Sequence, residues 1–264
     1  MDNPLPSPPP APGSGSDLGA PPRDGWAVGA GRGADWWRAG WKLFTPAPWT
    51  WIAITVVAGV ITLVLNQVPF IGPIAVTLLY PLLFAGVMVG ARELDRGGEL
   101  RFNHLFACFS DRAMPLVILA LVMLAGWFVV WLVTVGALVG IVGLGTLGSL
   151  LAGDLADMGL GMLGTLGFGA LVALLLALLL AAPLILASWF APLLVLFRGD
   201  EPIAAMRTSF VACMRNMPPF LVYGLVGIVL AVVATIPFGL GWLVLMPVSA
   251  ASVYAGYTDI FGSP

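Results

Sequence analysis

Charge is scarce in this chain. Asp, Glu, Lys and Arg make up 9% of its 264 residues, about a third of the share usual in soluble globular proteins. With 60% hydrophobic residues and a mean hydropathy of +1.02, a soluble fold is excluded, because no soluble core hides that much apolar surface. Histidine, the commonest general base and metal ligand, occurs once, as His104. Cys108 and Cys213 have no metal-type spacing, and no disulfide is expected between them. The long apolar runs do not alternate, which excludes a transmembrane β-barrel. Their interiors hold no ionisable side chain, which argues against proton- or ion-coupled carriers. The first 25 residues lack an apolar core, so the first true span is expected to act as the targeting signal.

What is present are apolar runs separated by short basic segments. Residues 1–34, opening PLPSPPPAPGSGS, are expected to be a disordered Pro/Gly-rich cytoplasmic tail, and 35–264 a single membrane domain. Spans are predicted at about Trp49–Leu65, Ile71–Ala91, Met114–Val135, Leu171–Phe197, Phe220–Thr235 and Trp242–Thr258. Between the third and fourth lies a glycine-rich stretch, 136–169, predicted as a non-spanning excursion that is partly re-entrant. All 11 Lys and Arg fall in residues 23–42, 92–112 and 198–215, and none in the connections 66–70, 136–169 and 236–241. The positive-inside rule then predicts six spans with both termini cytoplasmic.

Three segments share one grammar: GWKLFTPAPWTWIAI, HLFACFSDRAMPLVILA and SFVACMRNMPPFLVYG. Each has aromatic or aliphatic residues at helical spacing, a basic residue, a proline, then a span. In the first, Trp37, Trp41 and Phe44 fall on one face beside Arg38 and Lys42, a pattern suited to a helix lying among headgroups. The second spans carry proline pairs, Pro73/Pro81, Pro183/Pro192 and Pro237/Pro247. The predicted fold class is therefore all-α: a polytopic membrane protein of six transmembrane helices in three hairpins, each preceded by a short amphipathic interfacial helix. The repeat units cover about 35–100, 101–200 and 201–262.

RTSFVACMRNMPPFLVYGL, the ending SVYAGYTDIF, and GWKLFTPAPW with ARELDRGGELRFNHLFACF resemble an uncharacterised family of bacterial inner-membrane proteins, the BPSS-type membrane proteins. The resemblance covers residues 26–262 and implies a six-span helical protein, without an activity, cofactor or site. A looser likeness, of hairpin layout alone, is to the membrane domains of some glycerophosphodiester phosphodiesterases. Their catalytic domain has no counterpart here.

The residues point to binding more than to catalysis. His104 sits on the second amphipathic segment without a convincing partner, and Asp154 and Asp157 alone make a poor metal site. No cofactor, metal or catalytic set is expected. Arg38, Lys42, Arg101, Arg112, Arg207 and Arg215 are candidate contacts for anionic headgroups. The expected partners are membrane phospholipids, or a second membrane protein that the chain scaffolds; nucleic acid is not expected. The alternative is a transporter or channel for a small neutral or amphipathic solute. Tyr80, Ser188 and Tyr254 would then line its cavity, near carbonyls freed by the prolines.

Overall fold

The structure, a computed structural model, describes residues 22–110, 113–152 and 158–264. Its described elements are helical. Helix α1 (Arg32–Phe44) leads into α2 (Pro48–Asn66) and α3 (Ile71–Asp95). A 3-10 helix, Phe102–Phe109, precedes α4 (Ala113–Ala152) and α5 (Met158–Trp189). The short α6 (Ala191–Leu193) runs into a π turn, Leu194–Arg198. Helix α7 (Pro202–Arg215) precedes α8 (Met217–Thr235) and α9 (Trp242–Phe261). Six helices are long and apolar enough to cross a membrane. Pro48, Pro202 and Pro218 lie in the first turns of α2, α7 and α8, where a missing N–H costs nothing. The turns opposite the basic end are Pro-Phe sequences, with Phe70 and Phe238 at φ of 63° and 53° and both rings exposed.

The three short helices follow one packing rule. Each lies against the second helix of a hairpin: the 3-10 helix on α3, α7 on α5, and α1 on α9. The last contact packs the first described helix against the last. Small residues permit these approaches. A Cβ on Gly86 would meet the His104 carbonyl at 2.5 Å, and one on Gly40 would meet the Val248 carbonyl oxygen at 2.7 Å.

Helix α1 departs from the expected rim position. Arg32 meets Asp259, Trp36 meets Gly256, and Gly40 meets Ser252 and Val248. This one-for-one progression makes α1 run antiparallel along α9. Helix α1 also touches α8, where Gly33 abuts Pro219 and Trp37 packs at Gly227. It is a wedge between the two helices of the last hairpin. The buried face is Trp36, Trp37 and Phe44, whereas Trp41 is 51% exposed. The predicted Trp37–Trp41–Phe44 stripe is offset because the buried face follows Gly33 and Gly40, whose missing side chains set the depth of contact.

Three other expectations are corrected. The second amphipathic segment is a 3-10 helix whose backbone lies close to α3 at Gly86, with the His104 side chain over Gly90. The glycine-rich stretch is largely helix: α4 has 40 residues and α5 has 32, about 60 and 48 Å of rise. That is more than a hydrocarbon core about 30 Å thick needs, and Gly145 and Gly169 let α4 and α5 pack closely on each other at Thr165 and Leu138. Residues 22–34, expected within the tail, are held by the chain's other end. The Asn216 amide donates to the Trp26 carbonyl at 3.0 Å and accepts from the Val28 N–H at 2.8 Å, and the Trp26 N–H donates to the Ile260 carbonyl at 2.8 Å. Most of the proline-rich segment, residues 1–21, lies outside the described residues.

The fourth span breaks between α5 and α6. The hydroxyl of Ser209, on α7, inserts into the helical ladder there. It accepts from the Phe190 N–H at 3.0 Å and donates to the Leu186 carbonyl at 2.8 Å, replacing the bond those two groups would share in a continuous helix. Pro192 prevents straightening, because its ring clashes with the carbonyl four residues back.

Candidate functional site

Three places hold polar side chains against apolar walls. The basic end is built from the short helices and the ends of the second spans. Arg32 and Trp36 both bond Asp259, Trp36 through its indole N–H at 2.9 Å. The Tyr254 hydroxyl donates to Asp95 at 3.1 Å. Rings of Phe190, Phe197, Tyr257 and Phe261 pack at centroid distances of 5.2 to 6.3 Å. Arg92 lies over Phe197 at 5.1 Å and Arg198 over Phe261 at 5.8 Å. Asp259→Ala is expected to lower stability by about 1–2 kcal/mol, chiefly because the buried Trp36 indole loses its acceptor. The ion pair itself is half exposed on the Arg32 side and adds little. Asp259→Asn should restore most of the loss in the thermal unfolding midpoint of the purified protein.

Arg38, Lys42, Arg101, Arg207 and Arg215 are all exposed at this end; Arg112 lies outside the described residues, as do Asp154 and Asp157. Arg38 pairs with Asp35 at 2.6 Å, Arg101 with Glu99 at 3.6 Å and Arg215 with Asp24 at 4.0 Å. Lys42 and Arg207 have no ion pair among the described residues. His104 acts locally, since its Nδ1 accepts the Arg101 N–H at 3.2 Å and so caps the 3-10 helix. Burial lowers its pKa, with Glu93 opposing and Arg101 adding to the shift. Cys213 is buried on the inner face of α7, and burial pushes its thiol up to about 12 despite a hydrogen bond with Ser209. At pH 8 about one such thiol in 10⁴ is ionised. Maleimide labelling of Cys213 in the folded protein should therefore be at least a thousandfold slower than in denaturant.

The second place is a central cavity of about 510 Å³ that receives a residue from every span: Thr55, Tyr80, Met123, Ser188, Tyr223 and Ser249. Tyr80 and Ser188 meet there as the sequence suggested. Tyr254 does not, because its hydroxyl turns toward the basic end to reach Asp95. Sequence reasoning missed Tyr223 as a cavity residue, yet it joins the wall while its hydroxyl bonds Ser252 at 2.8 Å. Thr55, Ser188 and Ser249 donate to carbonyls of their own helices, which leaves the Tyr80 hydroxyl as a donor without a partner among the described residues. Toward the basic end the aromatic rings follow the cavity residues along α9 and the π turn.

The third place is a cleft of about 820 Å³ between α8 and α9, roofed by α1. Its walls are aliphatic, with Val226 and Leu230 from α8 and Val244 and Leu245 from α9; Arg38, Trp41 and Lys42 line it from α1, and it reaches Pro237 and Gly241 at the turn opposite the basic end. The wedge makes the cleft, since α1 holds the two helices apart. The sequence signal for it was present in Gly33 and Gly40, one on each side of the paired tryptophans.

No family model matches the chain, and no solved structure matches it. It is 32% identical, over 228 residues, to a probable inner membrane protein of Burkholderia thailandensis, an alignment spanning 86% of this chain and 82% of that one. The likeness to glycerophosphodiester phosphodiesterases gains no support from this comparison. With six helices of spanning length and this similarity over most of both chains, the protein belongs to the family of that probable inner membrane protein and is a multi-pass protein of the inner membrane.

Proposed function

We propose that this protein is a non-enzymatic, lipid-interacting component of the inner membrane, with its basic end and both termini in the cytoplasm. The observation that carries the reading is the set of exposed cations on α1 and α7, Arg38, Lys42, Arg207 and Arg215, together with Arg101 just before the 3-10 helix. Each such cation near an anionic leaflet contributes about 1 kcal/mol. Among the described residues no three His, Cys, Asp or Glu side chains converge to hold a metal ion. Changing Arg38, Lys42, Arg101, Arg112, Arg207 and Arg215 together to Gln should remove most of the anionic phospholipid that copurifies with the protein. Unchanged lipid content would end this reading. Recovery of a stoichiometric protein partner in its place would make the chain an accessory subunit.

A second reading, passage of a small neutral or amphipathic solute, is favoured by one observation. The central cavity draws hydroxyls from several spans and leaves the Tyr80 hydroxyl unpaired among the described residues. Tyr80→Phe would abolish uptake of such a solute into proteoliposomes if this reading holds, and would leave copurified lipid unaltered.

A further inference from the structure

We propose that the central cavity holds the head of one uncharged, single-tailed amphipath, a flat ring with carbonyl acceptors such as an alkyl or prenyl quinone, whose tail leaves between α2 and α3. This names the solute of the second reading above and rests on that reading. The way out for the tail is a hollow of about 380 Å³ along α2 and α3, lined by Gly59, Thr62, Val76 and Leu79. It adjoins the central cavity, with which it shares Thr55, Tyr80, Phe84 and Met246. Thr55, Tyr80 and Ser249 stand near the middle of α2, α3 and α9, and the slot runs from there toward the turn after Asn66. The occupant therefore enters from the hydrocarbon region. Four observations select it. Neither hollow is lined by Asp, Glu, Lys, Arg or His among the described residues, so a charged head would go unmatched at a depth where that is costly. The free hydroxyl calls for an acceptor. Ser252 gives its hydrogen to the Ser249 carbonyl at 2.7 Å, so Tyr223 must be the donor in its 2.8 Å bond with Ser252. Thr55, Ser188 and Ser249 also donate within their own helices. The Tyr80 hydroxyl, where the two hollows meet, is left to donate to the ligand. The walls suit a flat ring: Tyr80 and Phe84 stack at 5.6 Å with 13° between their planes, and Trp189 and Tyr223 add two more rings. Finally, there is room for a tail at Gly59, where an added Cβ would meet nothing within 4 Å. One slot takes one tail, which disfavours a two-chain glycerolipid.

The test offers the full chain, in nanodiscs, a decyl-substituted benzoquinone, the same ring without its tail, and a monoacylglycerol with a ten-carbon tail. Native mass spectrometry counts the probe retained on each chain. Wild type should retain one decyl benzoquinone and at least tenfold less monoacylglycerol. Tyr80→Phe should weaken retention of the quinone about fivefold, as expected for one lost hydrogen bond. Gly59→Phe, or Val76→Trp from the other wall should the first variant fold poorly, fills the slot. Either should bind the decyl probe no better than the tailless ring, with helical content unchanged. Full retention of the decyl probe by both slot variants would overturn the site, as would monoacylglycerol held as well as the quinone. If no quinone is retained but Tyr80→Phe still abolishes uptake of glycerol into proteoliposomes, this assignment fails and the second reading stands. No retention together with no uptake that depends on Tyr80 would mean that both fail.

Discussion

Gly33→Leu and Gly40→Leu are each expected to lift α1 out of the last hairpin and to destabilise the protein by about 3 kcal/mol or more, at the upper end for overpacking. The obstacles are backbone atoms, which cannot move aside. A Cβ on Gly40 would sit 2.7 Å from the Val248 carbonyl oxygen and 2.8 Å from the Ser252 N, and one on Gly33 would run into the Pro219 carbonyl. Losing the docked helix also exposes Trp36, Trp37 and Phe44, each worth about 1.5–3 kcal/mol when buried from water and less where lipid replaces water. Gly31→Leu and Gly224→Leu are the controls, since nothing lies within 4 Å of a Cβ at either position. Trypsin cleavage at Arg38 and Lys42 in native membranes reads the difference. The Gly33 and Gly40 variants should be cut quickly, and the controls at the wild-type rate.

Ser209→Ala should cost about 2–4 kcal/mol, because it strands two backbone groups at once, the Phe190 N–H and the Leu186 carbonyl. The direct bond between them cannot simply re-form while Pro192 holds the break open. This gives the variant an unusual suppressor. In the double variant Ser209→Ala with Pro192→Ala, α5 can continue through residue 190 and satisfy both groups, so at least half of the lost stability should return. Losses that merely add in a double-mutant cycle, followed by steric trapping in bicelles, would mean that the hydroxyl does not replace the ladder bond.

Much of the architecture is legible because a membrane imposes strong rules. The helices found at Pro48–Asn66, Ile71–Asp95, Met217–Thr235 and Trp242–Phe261 lie within a few residues of the predicted spans, since apolar length and flanking proline are local signals. The grouping of Lys and Arg also locates the end where the ion pairs form. Two of the errors share one cause, which is that they depend on partners distant in sequence. Helical periodicity alone cannot decide between Trp36 and Trp41 for the buried face of α1; Gly256 on α9 does, by leaving room for the Trp36 ring, which a Cβ there would meet at 3.3 Å. Residues 22–31 look like tail until Asn216, 188 residues beyond Val28, supplies their hydrogen bonds. Glycine punctuates helices, and so 136–169 reads as irregular, but Gly145 and Gly169 serve the packing of α4 on α5, at Thr165 and Leu138.

The candidate sites are legible in part for the same reason. Tyr80 and Ser188 stand out as hydroxyls in otherwise apolar spans, and they do face one cavity. Tyr254 stands out in the same way, but Asp95, on another hairpin, draws its hydroxyl away. Arg38 and Lys42 are headgroup candidates by charge alone. The cleft that they help to line is marked in the sequence only by Gly33 and Gly40, which seat α1 between α8 and α9.

That separation is the central claim, and thiol crosslinking in native membranes tests it most directly. Arg32→Cys paired with Asp259→Cys puts one thiol on each helix where α1 and α9 touch at the basic end. A short bifunctional maleimide should join them within one chain, giving a peptide that links the N-terminal and C-terminal segments in mass spectra, and Gly40→Leu in the same background should abolish that peptide. Full labelling of both thiols without a link, or links formed only between molecules, would contradict the wedge.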